Sequence, residues 1–211
     1  YSFRNTVYMA LLNLTLGFII PVILGLLISQ VRNKRSSRVV QTTTYMPYFV
    51  APVVVCTLAK EFLKEGGAIT MFLTMFGLPN QNWLAVNSPV FWFINCFLGI
   101  WQGAGYGAIV YIAAINGIDQ NLYEAACIDG ASRWQRLWNI TIPSIVPLVV
   151  MMFTMQIGLV FMTGFDKVLL LYMPTTYEFS DCLSTYTYRM AFSAGNDFSL
   201  STASGLLQSI I

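Results

Sequence analysis

The sequence predicts an all-α integral membrane protein with about five membrane-spanning helices, and three observations predict it. Of 211 residues, 56% are hydrophobic and only 9% are charged, against roughly 25% charged residues in an ordinary soluble domain. The eleven Lys/Arg and nine Asp/Glu lie in clusters separated by long uncharged intervals. Several of those intervals reach the roughly 20 residues that a helix needs to cross the hydrocarbon core, where a backbone finds no partner but itself. The same composition excludes other classes. There is no histidine, which removes imidazole acid/base chemistry and histidine-based metal sites. Cys56, Cys96, Cys127 and Cys182 are far apart with no CxxC pair, so neither a metal site nor a disulfide framework is indicated. A formal net charge of +2 argues against a nucleic-acid partner.

The first span is expected over residues 6–31, between Arg4 and Arg32, with Pro21 kinking the helix because lipid offers no alternative to it. The second is expected over 39–59, bent or locally unwound where Pro47 and Pro52 remove backbone donors. Gly77, Pro79, Asn80, Asn82, Asn87, Ser88 and Pro89 read as a loop, which sets the third span at 90–118. The fourth is expected over 142–165. A fifth apolar run, 200–211, is too short to cross a membrane. Because the sequence also starts at Tyr1 without a basic signal region, it is expected to be part of a longer single transmembrane domain, with an N-terminal segment and the end of the last helix lying outside it.

Orientation follows from the basic residues of short loops. Arg32, Lys34, Arg35 and Arg38 place four cations within seven residues, which assigns that loop to the cytoplasm. Alternation then puts loop 119–141 inside as well, and the segments 60–89 and 166–198 outside. The outer segment from Lys167 to Phe198, with Asp166, Glu178, Asp181, Asp197, Lys167 and Arg189, reads equally as a docking surface or as solvated chain.

Loop 119–141 is organised as two short helices. Asp119 is placed to cap the first, Ala125 and Ala126 are strong helix formers, and Gly130 suits the left-handed residue that ends it. Ser132 followed by Gln135 is a capping box for the second helix, which leads towards Pro143. The pair forms an elbow with a small-residue surface and one acid, a shape suited to a groove in another protein.

The spacing Glu124-Ala125-Ala126, three residues, Gly130, nine residues, Ile140, one residue, Ile142-Pro143 resembles the EAA loop of the permease subunits of binding-protein-dependent ABC importers. Asp129 and Ala131 fit its common EAAxxDGA form, while Ile142 in place of Leu and Leu137 in place of the frequent Phe depart from it without loss of apolar character. The whole chain is similar to the methionine-permease-like core of type I importers. Gln41-Thr-Thr-Thr-Tyr-Met-Pro47, Gly164-Phe-Asp-Lys-Val-Leu169 and Ser184-Thr-Tyr-Thr-Tyr-Arg189 are similar to its complex-carbohydrate branch.

The resemblance implies a multi-pass subunit of a bacterial cytoplasmic membrane, importing an oligosaccharide or polysaccharide fragment by alternating access. It implies four kinds of partner: a second permease as a heterodimer, two cytoplasmic ATPases, an extracytoplasmic solute-binding protein and the carbohydrate itself. ATP and magnesium belong to the ATPases, in keeping with the absence here of a GxxxxGK[ST] phosphate loop, and no cofactor is expected in this chain, which is not an enzyme. Glu124, Ala125, Ala126, Asp129, Gly130, Ala131, Ile140 and Pro143 would then couple the permease to its ATPase.

Asn95, Gln102 and Tyr106 share one face of the third span. With Trp101, Tyr111 and Gln156 they offer the amides and aromatic faces that sugars need, although each also suits inter-helix hydrogen bonding. Gly99, Gly103 and Gly107 form a smooth strip for close packing, and Gly105 beside it is read as a point of flexibility. A secondary transporter or channel is the competing class. Ion coupling generally places ionisable groups in the spans, and the four complete spans contain none.

Overall fold

The computed structural model describes residues 1–31, 33–159, 164–192 and 197–210. Arg32 of the basic loop, 160–163 near the end of the expected fourth span and Ile211 lie outside the described residues. Among the described residues the protein is helical throughout, with no strand. Three helical runs are long and apolar enough to cross a membrane, Ser2–Ser29, Val90–Asn116 and Arg133–Gly158, and a fourth counts if the broken pair Arg35–Phe49 and Pro52–Thr74 is one span. The expected fifth is the 13-residue α13, shorter than a crossing.

The first run is α1 (Ser2–Leu12), a π-helical stretch Asn13–Gly17 and α2 (Phe18–Ser29). Pro21 lies inside α2. A proline ring collides with the carbonyl four residues back, here Gly17, and the π stretch ends on that residue, widening the helix where the collision would fall. The second segment is split. Asn33 caps α3 (Lys34–Tyr45) by accepting from the Arg35 N–H. A 3-10 turn, Met46–Phe49, holds Pro47, and α4 (Pro52–Leu63) starts afresh with its proline at the first position, where no donor is lost. Next come α5 (Ala68–Thr74), the loop expected from its Gly, Pro and Asn residues, and α6 (Val90–Asn116). The elbow helices α7 (Gln120–Ile128) and α8 (Arg133–Arg136) follow, then a second π stretch, Leu137–Thr141, and α9 (Ile142–Gly158), which contains Pro143 and Pro147. The first π stretch ends four residues before Pro21 and the second two residues before Pro143. The chain closes with α10 (Phe165–Leu171), a 3-10 turn at Pro174–Thr176, α11 (Tyr177–Ser180), α12 (Leu183–Phe192) and α13 (Phe198–Ile210).

The chain folds as two units. The first comprises 1–16, 50–100 and 159–211, and its core is built from Met9, Cys56, Leu84, Phe91, Val168, Leu171 and Cys182. The outer segment is fastened to α1 by buried polar groups. Asp181, 2% exposed, accepts from Ser2 Oγ at 2.9 Å, Arg189 Nη2 at 2.7 Å and Thr185 Oγ1 at 2.8 Å. Asn5 Nδ2 donates to the carbonyls of Glu178 and Asp181, Thr6 Oγ1 accepts from the Leu183 N–H, and Trp92 Nε1 donates to the Phe179 carbonyl. Arg189 also lies over the Tyr177 ring at 4.1 Å. Burial works against its charge, yet the adjacent Asp181 carboxylate holds the guanidinium pKa above its ordinary value. The outer segment is thus a packed part of the protein and Asp181 is not a solvated acid.

The second unit comprises 17–49 and 101–158. Ile28, Ala108 and Ile112 form its small core. Of the glycines expected to pack, Gly107 meets the Pro21 ring, whereas nothing lies within 4 Å of the place a Cβ on Gly103 would take. Gly105, expected to lend flexibility, is instead the point of closest approach: a Cβ there would stand 2.0 Å from the Thr44 backbone oxygen.

Two expectations follow. Asp181→Ala, which leaves a half-buried guanidinium unpaired, lowers stability by about 3–5 kcal/mol, read as a fall in the unfolding midpoint in detergent, and pairing it with Arg189→Met restores part of the loss. Gly105→Ala lowers the midpoint because the backbone of α3 must move, while Gly103→Ala leaves it level or raises it, since alanine favours helix by up to about 1 kcal/mol.

Candidate functional site

The elbow is fixed at each corner by local chemistry. Asp119 Oδ1 accepts from the Asn121 N–H at 3.0 Å and starts α7. At its other end Gly130 takes φ +76°, and two bonds close the turn: Ala131 N–H to the Ala126 carbonyl at 2.9 Å and Gly130 N–H to the Cys127 carbonyl at 3.1 Å. That is a complete Schellman arrangement, which requires a left-handed residue at Gly130. Ser132 Oγ accepts from the Gln135 N–H at 3.3 Å, and Gln135 Oε1 accepts from the Ser132 N–H at 2.7 Å. The elbow is then tied to its own base. Tyr123 OH and Thr141 Oγ1 are 2.8 Å apart, and Arg136 Nη1 donates to Cys127 Sγ at 2.8 Å. Ser29, Gln30 and Val31 at the end of α2, with Tyr123, Arg133, Arg136, Leu137 and Thr141, line a cleft of about 270 Å³. The end of α2 and the elbow therefore line one cleft within the second unit.

The outward surface of the elbow is distinct from its seat. On α7, Tyr123 and Ala126 are half-buried, whereas Glu124 and Ala125 are exposed. Ile128, four residues after Glu124 and on the same face, is 87% exposed. Asp129, Gly130 and Pro143 are exposed, and Ala131 and Ile140 are half-buried. Nothing lies within 4 Å of a Cβ placed on Gly130, so its side faces open space. Ile128 was missed by motif spacing, which treats it as one of three unspecified residues; its signal was an aliphatic side chain on the polar face of a short helix. Trp134 and Trp138, one helical turn apart, are exposed in the same way.

The residues expected along a cargo path are divided between the two units. In the first unit, Asn95 is buried, its Nδ2 lying 3.6 Å from Met9 Sδ. In the second, Gln102 and Tyr111 are buried, and Tyr111 packs against Gly25. Tyr106 stacks on Tyr48 with centroids 4.0 Å apart and planes 6° from parallel. Trp101 is exposed and Gln156 is half-buried.

Residues 17–199 match the family described as binding-protein-dependent transport system inner membrane component. Among curated relatives, the chain is 36% identical over 209 residues to the polygalacturonan/rhamnogalacturonan transport system permease protein YteP of Bacillus subtilis, covering 99% of this chain and 64% of that protein. It is 34% identical over 210 residues to protein LplB of the same organism, covering 99% and 65%. The chain thus spans slightly under two thirds of the length of these relatives. Among solved structures, it superposes on a chain of a bacterial alginate ABC transporter, crystallised in complex with an alginate pentasaccharide-bound periplasmic protein. The TM-score is 0.92 at 37% identity, covering 99% of this chain and 72% of that one.

The capping geometry predicts a graded response. Ser132→Ala removes one acceptor and costs about 1 kcal/mol. Gly130→Ala meets no steric obstacle but forces an L residue into the left-handed region, at a cost of about 1–2 kcal/mol. Both are read as earlier proteolytic cleavage of the elbow under limiting protease, Gly130→Ala being the more sensitive.

Proposed function

The chain belongs to the family of binding-protein-dependent transport system inner membrane components, a family of the bacterial inner membrane, and on that footing we propose that it is the membrane-spanning permease subunit of an ATP-driven importer. Its cargo is an oligosaccharide or a fragment of a polysaccharide, delivered by an extracytoplasmic binding protein. The relatives support the cargo class: one is named as a permease for polygalacturonan and rhamnogalacturonan, and the similar solved structure is of an alginate transporter carrying a periplasmic protein. A second permease completes the pathway and two cytoplasmic ATPases supply the energy.

The observation that carries the mechanism is the elbow. Its exposed face presents Glu124, Ala125 and Ile128 together, a flat small-residue surface with one acid and one aliphatic knob, as helix-in-groove recognition requires. Its inner face is bonded to the base of α9 through Tyr123 and Thr141. A push on the exposed face is therefore delivered to the run Arg133–Gly158, one of the candidate spans. ATP-driven closure of the two ATPases would draw the elbows together and turn the spans from inward-facing to outward-facing. Asp129, Gly130 and Ala131 set the turn that orients the face, and Ile140 and Pro143 lie where the elbow joins the span.

In the assembled importer, Glu124→Lys and Ile128→Asp each lower cargo-stimulated ATPase activity and cargo uptake by at least about tenfold, equivalent to about 1.4 kcal/mol, and co-purification of the ATPase falls with them. Gly130→Leu uncouples uptake from hydrolysis. Normal uptake in all three variants, or uptake without any ATPase, would falsify the assignment of the elbow.

A further inference from the structure

Two candidate spans end at one cleft. Ser29 closes the run Ser2–Ser29 and Arg133 opens the run Arg133–Gly158, and both line the cleft of about 270 Å³ at the base of the elbow, inside the second unit. A run of 28 residues is roughly 42 Å long at about 1.5 Å per residue, against a hydrocarbon core about 30 Å thick. Where two such runs end side by side, the chain has reached the headgroup layer. Aromatic rings mark the same level: Trp134 and Trp138 are exposed, and tryptophan is enriched where headgroups meet acyl chains.

The cleft is cationic and its charges are unpaired. Arg133 and Arg136 are its charged lining residues, and no carboxylate lines it. Ion pairs among the described residues join Lys64 to Glu61 and Arg189 to Asp181, so neither guanidinium has a counter-ion there. Arg133 makes no side-chain hydrogen bond among the described residues. Arg136 makes one, from Nη1 to Cys127 Sγ, and sulfur is a weak acceptor; its Nε is buried without a partner. Nor do the arginines cap α2, whose end is closed by its own backbone: the Gln30 and Val31 N–H groups donate to the Leu27 and Ile28 carbonyls at 3.2 Å.

Such a lining calls for an anion that accepts several hydrogen bonds at once, and two guanidinium forks suit a phosphate. Size and place select its source. The cleft falls short of the roughly 300–1,000 Å³ of pockets that enclose a small molecule, so it admits a headgroup phosphate more readily than a nucleotide. The chain continues past Val31 into the basic loop, where Arg35 and Arg38 are exposed, and a concentration of cations at a membrane surface favours lipids with net negative charge.

We propose that the cleft holds the phosphate of an anionic phospholipid from the leaflet on the elbow's side, with Arg133 and Arg136 as its anchors and Trp134 and Trp138 among the neighbouring headgroups. The inference rests on the reading of the elbow as the coupling device, which makes that leaflet the cytoplasmic one, and adds a lipid partner to it. Arg136 is bonded to Cys127 of α7, and Thr141 to Tyr123. The phosphate therefore sits at the cross-ties between the elbow and its span, and the lipid braces them.

The test uses the complete importer, delipidated in detergent and titrated with phosphatidylglycerol, with bound lipids counted by native mass spectrometry. One phosphatidylglycerol per copy of this subunit is expected to be held at least about tenfold more tightly by the wild type than by R133Q/R136Q, and phosphatidylcholine weakly by both. C127A, which removes the sulfur contact and keeps both cations, is expected to bind as the wild type does; assembly of each variant is checked by size exclusion. Equal binding by the wild type and R133Q/R136Q, or binding of phosphatidylcholine as tight as that of phosphatidylglycerol, overturns the proposal. So does displacement of the lipid by inorganic phosphate, which makes the cleft a free-anion site, or loss of the ATPase in place of the lipid from R133Q/R136Q, which makes a protein the occupant. The elbow reading fails separately, since Glu124→Lys is expected to lose the ATPase and to keep the lipid.

Discussion

A hydrocarbon solvent offers no hydrogen bond, and the structure is organised by that one constraint. Each peptide group in a span must find its partner within the helix, so a proline leaves a defect in the bonding; Pro147 stands inside regular α9, and at the other prolines of the apolar segments the helix absorbs the defect. The chain shows two ways of doing so. Pro21 and Pro143 are accommodated by π-helical stretches, Asn13–Gly17 and Leu137–Thr141, which change the helical pitch without ending the helix. Pro47 and Pro52 are accommodated by ending it, with a 3-10 turn and a fresh start. The first device keeps a span continuous and the second breaks one. Where the break falls, Tyr48 lies stacked on Tyr106 of α6.

The same constraint explains what could be read in the sequence. Apolar intervals bounded by charges exposed the spans, because length and hydrophobicity alone fix a helix in lipid. The elbow was legible for a different reason. Asp119, Gly130, Ser132 and Gln135 act within four or five residues of themselves, and a local rule needs no tertiary knowledge. Asp181 and Lys167 were not legible. Asp181 receives Ser2 from 179 residues away, and nothing near it in the chain marks it as buried. Lys167 stands in an outer segment by position, whereas its ammonium lies beside Asn13 and Gly99 within the spans. Counting charges along the chain gave uncharged spans, which is a statement about Cα positions. A lysine side chain is long enough to make it untrue of the space the spans enclose.

The glycines show how the same residue reports different things. Regular four-residue spacing pointed to Gly99, Gly103 and Gly107, yet only Gly107 is in contact with a neighbouring ring, and Gly105, outside the pattern, meets the Thr44 backbone. Spacing reveals which residues share a face but not which face is turned to a partner. Gly99 is informative for the space it leaves to a cation, Gly105 for the backbone it admits and Gly130 for its dihedral angle alone.

Rigidity of the elbow links these local facts to transport. A coupling device must move as one piece with the span that follows it, since any hinge between them dissipates the displacement. Three independent restraints act here: the Schellman turn at Gly130, the reciprocal cap of Ser132 and Gln135, and the cross-ties from Tyr123 to Thr141 and from Arg136 to Cys127. Thr141 is the last residue of the second π stretch and is 1% exposed, so the tie from Tyr123 ends where the proline-altered helix starts α9. The widening that lipid imposes on a proline-bearing span therefore also provides the buried seat on which the elbow is anchored, and solvent constraint and force transmission meet in one turn of helix.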